Sequence, residues 1–163
     1  MTQTKLALRQ VLRRARLSIP EEDRQAKSAA IVASLTNAIN WSEVGAIHCY
    51  EPLEVMGEVD ISGFTDGKQF FTSRLLDKKW QIVPINGDSE APQAFDVVII
   101  PMLGFDNQLH RIGYGGGYYD RLLAEHPKAQ KIGVCFDNGK VEHIPNEPHD
   151  IAMDKIVTES AIY

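Results

Sequence analysis

Val97-Val98-Ile99-Ile100 is apolar at every position, with no polar residue to turn toward water. A strand that reads this way is covered on both faces, which an edge strand or a half-solvated antiparallel sheet would not require. The run therefore demands layers on either side of a sheet. Further short runs rich in β-branched and aromatic residues fall at 46–50, 69–72, 80–84, 131–136 and 155–158, all of strand length. Helical spacing marks the rest. Leu8, Val11, Leu12 and Ala15 predict a helix over residues 3–17. Ser18 with Glu21 three positions on, and Pro20 between, predicts a capping box opening a second helix that reaches residue 38. A third, short helix is expected at 118–126. Strands alternating with helices predict an α/β fold with a largely parallel sheet. With 163 residues, no internal repeat and no linker-like stretch, the chain is expected to form one domain over 1–163.

The connection leaving the buried strand, residues 101–117, is too long for an ordinary loop in a compact domain. It ends Arg111-Ile112-Gly113-Tyr114-Gly115-Gly116-Gly117-Tyr118-Tyr119-Asp120-Arg121, so that four of the chain's 12 glycines fall within five positions. Glycine admits positive φ and close approach of backbone N–H groups to a ligand. The helix that follows adds unpaired N–H groups and the positive end of its dipole, and together these predict an anion or phosphate cradle. The loop is not a Walker A sequence, since no Gly-Lys-Ser/Thr closes it. Tyr118 stands where a dinucleotide fingerprint would place its third glycine. The alternative on residues alone is a flexible surface loop.

Charge placement narrows the partners. Residues 1–16 hold Lys5, Arg9, Arg13, Arg14 and Arg16 and no acid, so the rest of the chain carries −10 within a net charge of −5. A local anion site fits that asymmetry, whereas a broad nucleic-acid footprint does not. No apolar run reaches the roughly 20 residues of a membrane span. Cys49 and Cys135 sit in apolar stretches, as buried thiols of a cytoplasmic protein would. The five histidines have no metal-ligand spacing, and neither a Cys-x-x-Cys pair nor a Gly-x-Ser-x-Gly elbow occurs.

Pro101-Met102-Leu103-Gly104-Phe105-Asp106 and the glycine-rich run together resemble the signature of the 5-formyltetrahydrofolate cyclo-ligase family. Lys5-Leu6-Ala7-Leu8-Arg9, Tyr50-Glu51-Pro52 with Glu58-Val59-Asp60, and Ile144-Pro145-Asn146-Glu147-Pro148-His149-Asp150 followed by Asp154-Lys155-Ile156-Val157-Thr158 are similar to other family segments in the same order. The resemblance implies a Rossmann-like sheet flanked by helices, similar to those of sugar-phosphate isomerases and CoA transferases. It implies an enzyme that uses ATP and Mg²⁺ to turn 5-formyltetrahydrofolate into 5,10-methenyltetrahydrofolate. Length and net charge fit a monomer, and the charge placement and short apolar runs predict no nucleic-acid or membrane partner.

The site residues are likewise carried by the resemblance. Lys5, Arg9, Arg111 and the stretch Ile112, Gly113, Tyr114, Gly115, Gly116, Gly117, Tyr118 and Tyr119 would meet ATP. Read alone, Lys5 and Arg9 would be part of a solvated basic face. Arg111 and Asp120 would be catalytic, with Asp120 and Asp150 holding the metal; read alone, they are a loop charge, a helix-start acid and a turn residue. Glu58, Tyr50 and Phe105, with the 114–118 stretch, would contact the folate. Trp41 and Trp80 read as core or rim. Two departures stand out. Many relatives carry Lys where this chain has Gly116, and some carry Arg where it has Tyr114, so neutralisation of phosphate would fall to Arg111, Lys5, Arg9 and the metal. The segment 54–57 is also longer than in several relatives.

Overall fold

The structure, a computed structural model, describes residues 4–64 and 68–163; residues 1–3, including the first position of the expected N-terminal helix, and 65–67 lie outside the described residues. Two helices, α1 (Lys5–Leu17) and α2 (Glu21–Ala38), precede the sheet. The strands β1 (Ala46–His48), β2 (Gln69–Leu76), β3 (Lys79–Pro84) and β4 (Val97–Pro101) follow. A small ribbon of β5 (Gly104–Phe105) and β6 (Arg111–Ile112) leads to α3 (Tyr118–Glu125), then β7 (Gln130–Val134) and β8 (Lys155–Val157).

Six strands form one sheet in the order β3-β2-β1-β4-β7-β8, parallel throughout except for β3, which folds back antiparallel on β2. The fully apolar run is a central strand, buried at all five positions of β4. Its pleat divides the core. Val97 and Ile99 pack with Ile31, Leu35 and Ala38 of α2 on one face, while Val98 and Ile100 pack with Phe71, Leu122 and Leu123 on the other. Helices alternate with strands less regularly than the pattern predicted. Among the described residues, α3 is the one α-helix that links two parallel neighbours of this sheet, β4 and β7, while a single 3-10 turn at Glu54–Met56 lies between β1 and β2.

Two local expectations are corrected. Ser18 does not cap α2. Its hydroxyl donates to the Ala15 carbonyl at 2.8 Å and its amide to the Arg14 carbonyl, so it closes α1 instead. Pro20 stands at the start of α2, with Glu21, Glu22 and Asp23 in the first turn, where the helix dipole favours acids. Nor is the stretch 101–117 an open loop. Leu103 to Ile112 pair as the β5–β6 ribbon, and the buried Asp106 holds its turn by accepting from the amides of Gln108 (2.9 Å), His110 (3.1 Å) and, across the chain, Ile144 (3.0 Å).

This ribbon seats α1. Leu8 and Leu12, one helical turn apart, pack against Leu103, Ile112 and Ile144. Each buried leucine contributes about 1.5–3 kcal/mol. With that face fixed to the ribbon, the adjoining Lys5 and Arg9 are held beside the glycine-rich loop.

Candidate functional site

The neighbours of β1 on its two sides, β2 and β4, continue the chain in opposite directions across the sheet. Ligands of open α/β sheets bind outside the carboxyl ends of strands at such a reversal. A cleft of about 680 Å³ opens there, walled by α1, the ends of β2 and β4, the glycine-rich loop and the turn around Asp150. Every site residue singled out from the sequence lines it, with one exception. Phe105 is wholly buried and packs on Tyr163, 5.0 Å between ring centroids; as a ribbon residue facing the core it has no surface to offer a folate.

One wall is cationic. Lys5 forms an ion pair with Asp150 and lies 3.5 Å from Glu147, and Arg9 Nε donates to the Gly113 carbonyl at 3.0 Å. Gly115 takes φ +98°, and a Cβ there would come within 3.2 Å of Arg9 Cζ, so guanidinium and loop backbone touch. Gly117, at φ +65°, turns the chain into α3. Gly116 faces open space.

Arg111 and Asp120 meet at 2.5 Å beside this wall. Burial lowers the Arg111 pKa, and the charges of Asp120, Asp150 and Tyr119 oppose that shift; the guanidinium stays a cation. Burial pulls the Asp150 carboxyl up, but hydrogen bonds from Lys5 and the Glu147 amide, with the positive charges nearby, outweigh it and hold the group below its ordinary value. Glu147, His149 and Asp150 each place a donor atom within 4.8 Å of the others. Carboxylate oxygens suit Mg²⁺, which takes one or two of them together with phosphate oxygens and water, so the carboxylates of Asp150 and Glu147 fit that ion, while Asp120 stands apart from this group in its pair with Arg111.

The opposite wall is aromatic. Trp80 is 57% exposed and its ring lies 5.0 Å from that of Tyr118, which meets Tyr119 edge-on at 5.1 Å. At the inner end the Tyr50 hydroxyl donates to the Val59 carbonyl at 2.6 Å, and burial, with the charge of Glu58, keeps that phenol protonated. Glu58 is 6% exposed, with one carboxylate oxygen accepting from the Leu53 amide at 2.7 Å and the other from the Tyr114 hydroxyl. Tyr114 in turn accepts from Arg16 Nη2 at 2.9 Å. The Tyr114 phenol thus bridges a buried arginine of α1 to the buried Glu58.

Several residues lining the cleft or bonded to its lining escape sequence reasoning. Arg16 belongs to the same basic stripe as Arg9 and Arg13, and its 4% exposure follows from tertiary packing. Ser73 and Arg74 come from the β2–β3 hairpin, whose strands alone signalled nothing beyond a sheet, while Trp80 of the same hairpin takes the rim place that the sequence left open beside a core one. Glu147 and His149 flank Pro148 in a turn that only folding brings to Lys5.

Comparison with known proteins supplies independent findings. The sequence pattern described as the 5-formyltetrahydrofolate cyclo-ligase family matches residues 69–159. A 5-formyltetrahydrofolate cyclo-ligase of Escherichia coli K12 is 41% identical over 70 residues, which cover 42% of this chain and 38% of that protein. One from Mycoplasma genitalium is 41% identical over 73 residues, 44% of each chain. The chain thus spans about two fifths of the length of the curated relatives it matches. Among solved structures, a 5,10-methenyltetrahydrofolate synthetase from Mycoplasma pneumoniae superposes with a TM-score of 0.79 at 23% identity, over 95% of this chain and 98% of that one. The Aquifex aeolicus 5,10-methenyltetrahydrofolate synthetase gives 0.82 at 24% identity, over 97% and 91%. At these identities the likeness establishes a shared fold.

Proposed function

Because the chain belongs to the 5-formyltetrahydrofolate cyclo-ligase family, we propose that it converts 5-formyltetrahydrofolate to 5,10-methenyltetrahydrofolate, using ATP and Mg²⁺ and releasing ADP and phosphate. The reading takes residues 1–163 as one cyclo-ligase unit acting as a cytoplasmic monomer, with no nucleic-acid or membrane partner. Two free, buried cysteines agree with a reducing compartment. Among the described residues no helix is long and apolar enough to cross a membrane.

The observation that carries this reading is the meeting, in one cleft, of a cationic, glycine-lined wall with an aromatic wall ending in a buried carboxylate. Lys5, Arg9 and Arg111 would bind the triphosphate, with the backbone of 112–119 cradling it. Glu58 would accept hydrogen bonds from the amino-pyrimidine edge of the pterin, in a pocket shared by Tyr50, Tyr114 and the 115–118 backbone, while the open faces of Tyr118 and Trp80 suit a flat heterocycle. Asp120 and Asp150 would hold Mg²⁺, which neutralises charge on the phosphates when bound.

The γ-phosphoryl group would pass to the formyl oxygen. N10 then attacks the formyl carbon, the carbon–oxygen bond breaks, the oxygen departs with phosphate, and the N10 proton is released. No activated protein nucleophile is required, so the chain's contribution is alignment and electrostatic stabilisation. The test is the near-ultraviolet absorbance of the methenyl product. Growth of that chromophore only when both ATP and Mg²⁺ are present is expected, and Asp120→Asn should lower kcat by roughly 10²-fold or more while leaving the circular dichroism spectrum unchanged. A flat trace from folded protein that binds ATP would overturn the substrate assignment, and near-normal turnover of the variant at saturating Mg²⁺ would remove Asp120 from the site.

A further inference from the structure

β1 ends in His48, whose side chain is completely buried below the cleft. Its Nε2 lies 2.8 Å from Ser73 Oγ on the neighbouring β2, and Ser73 Oγ is hydrogen-bonded in turn to the hydroxyl of Tyr118. Phe95 meets the imidazole edge-on at 5.4 Å and Tyr119 at 6.4 Å, so aromatic rings pack around it. Three residues from three elements thus form a chain that runs from the core to the wall of the cleft.

The direction of that chain follows from the nitrogen left over. His48 Nδ1 is buried and has no hydrogen-bond partner among the described residues. Burial, reinforced by His126, pushes the imidazole down to about 4, so it is neutral near pH 7, with one N–H and one bare nitrogen. An orphaned buried N–H is rarer in proteins than an unfilled acceptor, which places the proton on Nε2. His48 then donates to Ser73, Ser73 donates to the Tyr118 oxygen, and the Tyr118 proton is left to point into the cleft.

We propose that His48 is a positioning residue that acts through Ser73 to present the Tyr118 hydroxyl as a hydrogen-bond donor to an oxygen of the bound folate. The proposal rests on the reading above in which Tyr118 contacts that substrate. Its chemistry is polarity of a hydrogen-bond chain: a fixed donor at the buried end makes the exposed end a donor as well. The ring at position 48 touches no ligand.

The test uses full-length protein labelled with 3-fluorotyrosine, whose ring fluorine lies beside the hydroxyl. Tyr118→Phe assigns one of the five tyrosine resonances. His48→Leu, which removes the donor, should shift that resonance, and so should Ser73→Ala. His48→Gln, which returns an N–H near the place of Nε2, should restore it. An unmoved resonance in both donor-breaking variants overturns the proposal, and Ser73→Ala keeps the test open if His48→Leu does not fold.

In the methenyl assay His48→Leu should raise KM for 5-formyltetrahydrofolate about five- to tenfold, the scale of one hydrogen bond, with KM for ATP within twofold of wild type. His48→Gln should lie near wild type. Added to Tyr118→Phe, His48→Leu should cost nothing further. Equal losses in both KM values, or additive losses in the double variant, would mean a structural role only and overturn the proposal. If the wild-type protein forms no methenyl product, the functional reading fails, and the fluorine resonances decide the positioning role separately.

Discussion

The glycine-rich loop lends itself to a paired substitution, because two of its glycines are required for different degrees of reason. Gly115→Ala would force a Cβ into a backbone at φ +98°, with that carbon 3.2 Å from Arg9 Cζ and 3.5 Å from both Nε and Nη1. Positive-φ strain on an L-residue costs about 1–2 kcal/mol, and moving the Arg9 head away would loosen its 3.0 Å bond to Gly113 as well. A total of about 2 kcal/mol is expected. Gly116→Ala meets no atom within 4 Å and no positive φ, so it should stabilise by about 0.4–1 kcal/mol through the unfolded chain. The gap between neighbouring substitutions, about 2.5 kcal/mol, corresponds to roughly 5–10 °C in Tm for a chain of this size. Urea and thermal unfolding followed by circular dichroism would measure it, and calorimetric titration with Mg²⁺-ATP should show about a fivefold weaker Kd for Gly115→Ala and no more than a twofold change for Gly116→Ala. Equal stabilities for the two variants would refute the account of how this loop is built.

Tyr114→Phe removes the hydroxyl between Arg16 and Glu58, leaving each buried charge short of a hydrogen bond; a loss of about 1–3 kcal/mol is expected from the urea midpoint, and a loss below about 0.5 kcal/mol would show that the bridge carries no weight. Asp106→Ala strands the amides of Gln108, His110 and Ile144 beneath the ribbon. It should cost about 3 kcal/mol or more and weaken ATP binding through the displaced loop, whereas an unchanged Tm would contradict this role. Stability should also depend on pH through His48. Its folded-state value of about 4 lies below the unfolded 6.5, so the unfolded chain binds the extra proton between them. Stability is therefore complete above about pH 6.5 and falls by about 3 kcal/mol as pH drops toward 4. His48→Gln should flatten that slope, and parallel slopes for the two proteins would be inconsistent with a buried, neutral imidazole.

How far the sequence could be read varies with the kind of interaction involved. The central strand was legible because burial on both faces leaves a mark at every residue of 97–100. The glycine-lined turn into α3 was legible because the positive φ of Gly115 and Gly117 favours glycine itself. Ser18 misled because the same hydroxyl can cap a following helix or close a preceding one, and the choice depends on where the chain turns. Phe105 and Trp80 are chemically similar candidates for an aromatic wall. The fold turned Phe105 of the ribbon into the core and, of the core and rim places open to Trp80, gave it the rim.

The sequence by itself determined a layered α/β sheet with a buried central strand, a glycine-rich loop after that strand, and a cationic helix of suitable spacing. These properties are written in the periodicity and residue types of short segments, where each residue's neighbours in the chain are also its neighbours in space. Tertiary structure alone decided which cations face the cleft and which carboxylates answer them. Lys5 and Asp150 are separated by 145 residues, Arg16 and Tyr114 by 98, and Tyr114 and Glu58 by 56. Such pairs leave no local pattern, because long-range packing brings them together and the partners need share nothing in sequence beyond complementary charge. The chain of His48, Ser73 and Tyr118 is of the same kind: adjacent strands and a helix start place three ordinary residues in line, and only that alignment gives the buried histidine a direction in which to act.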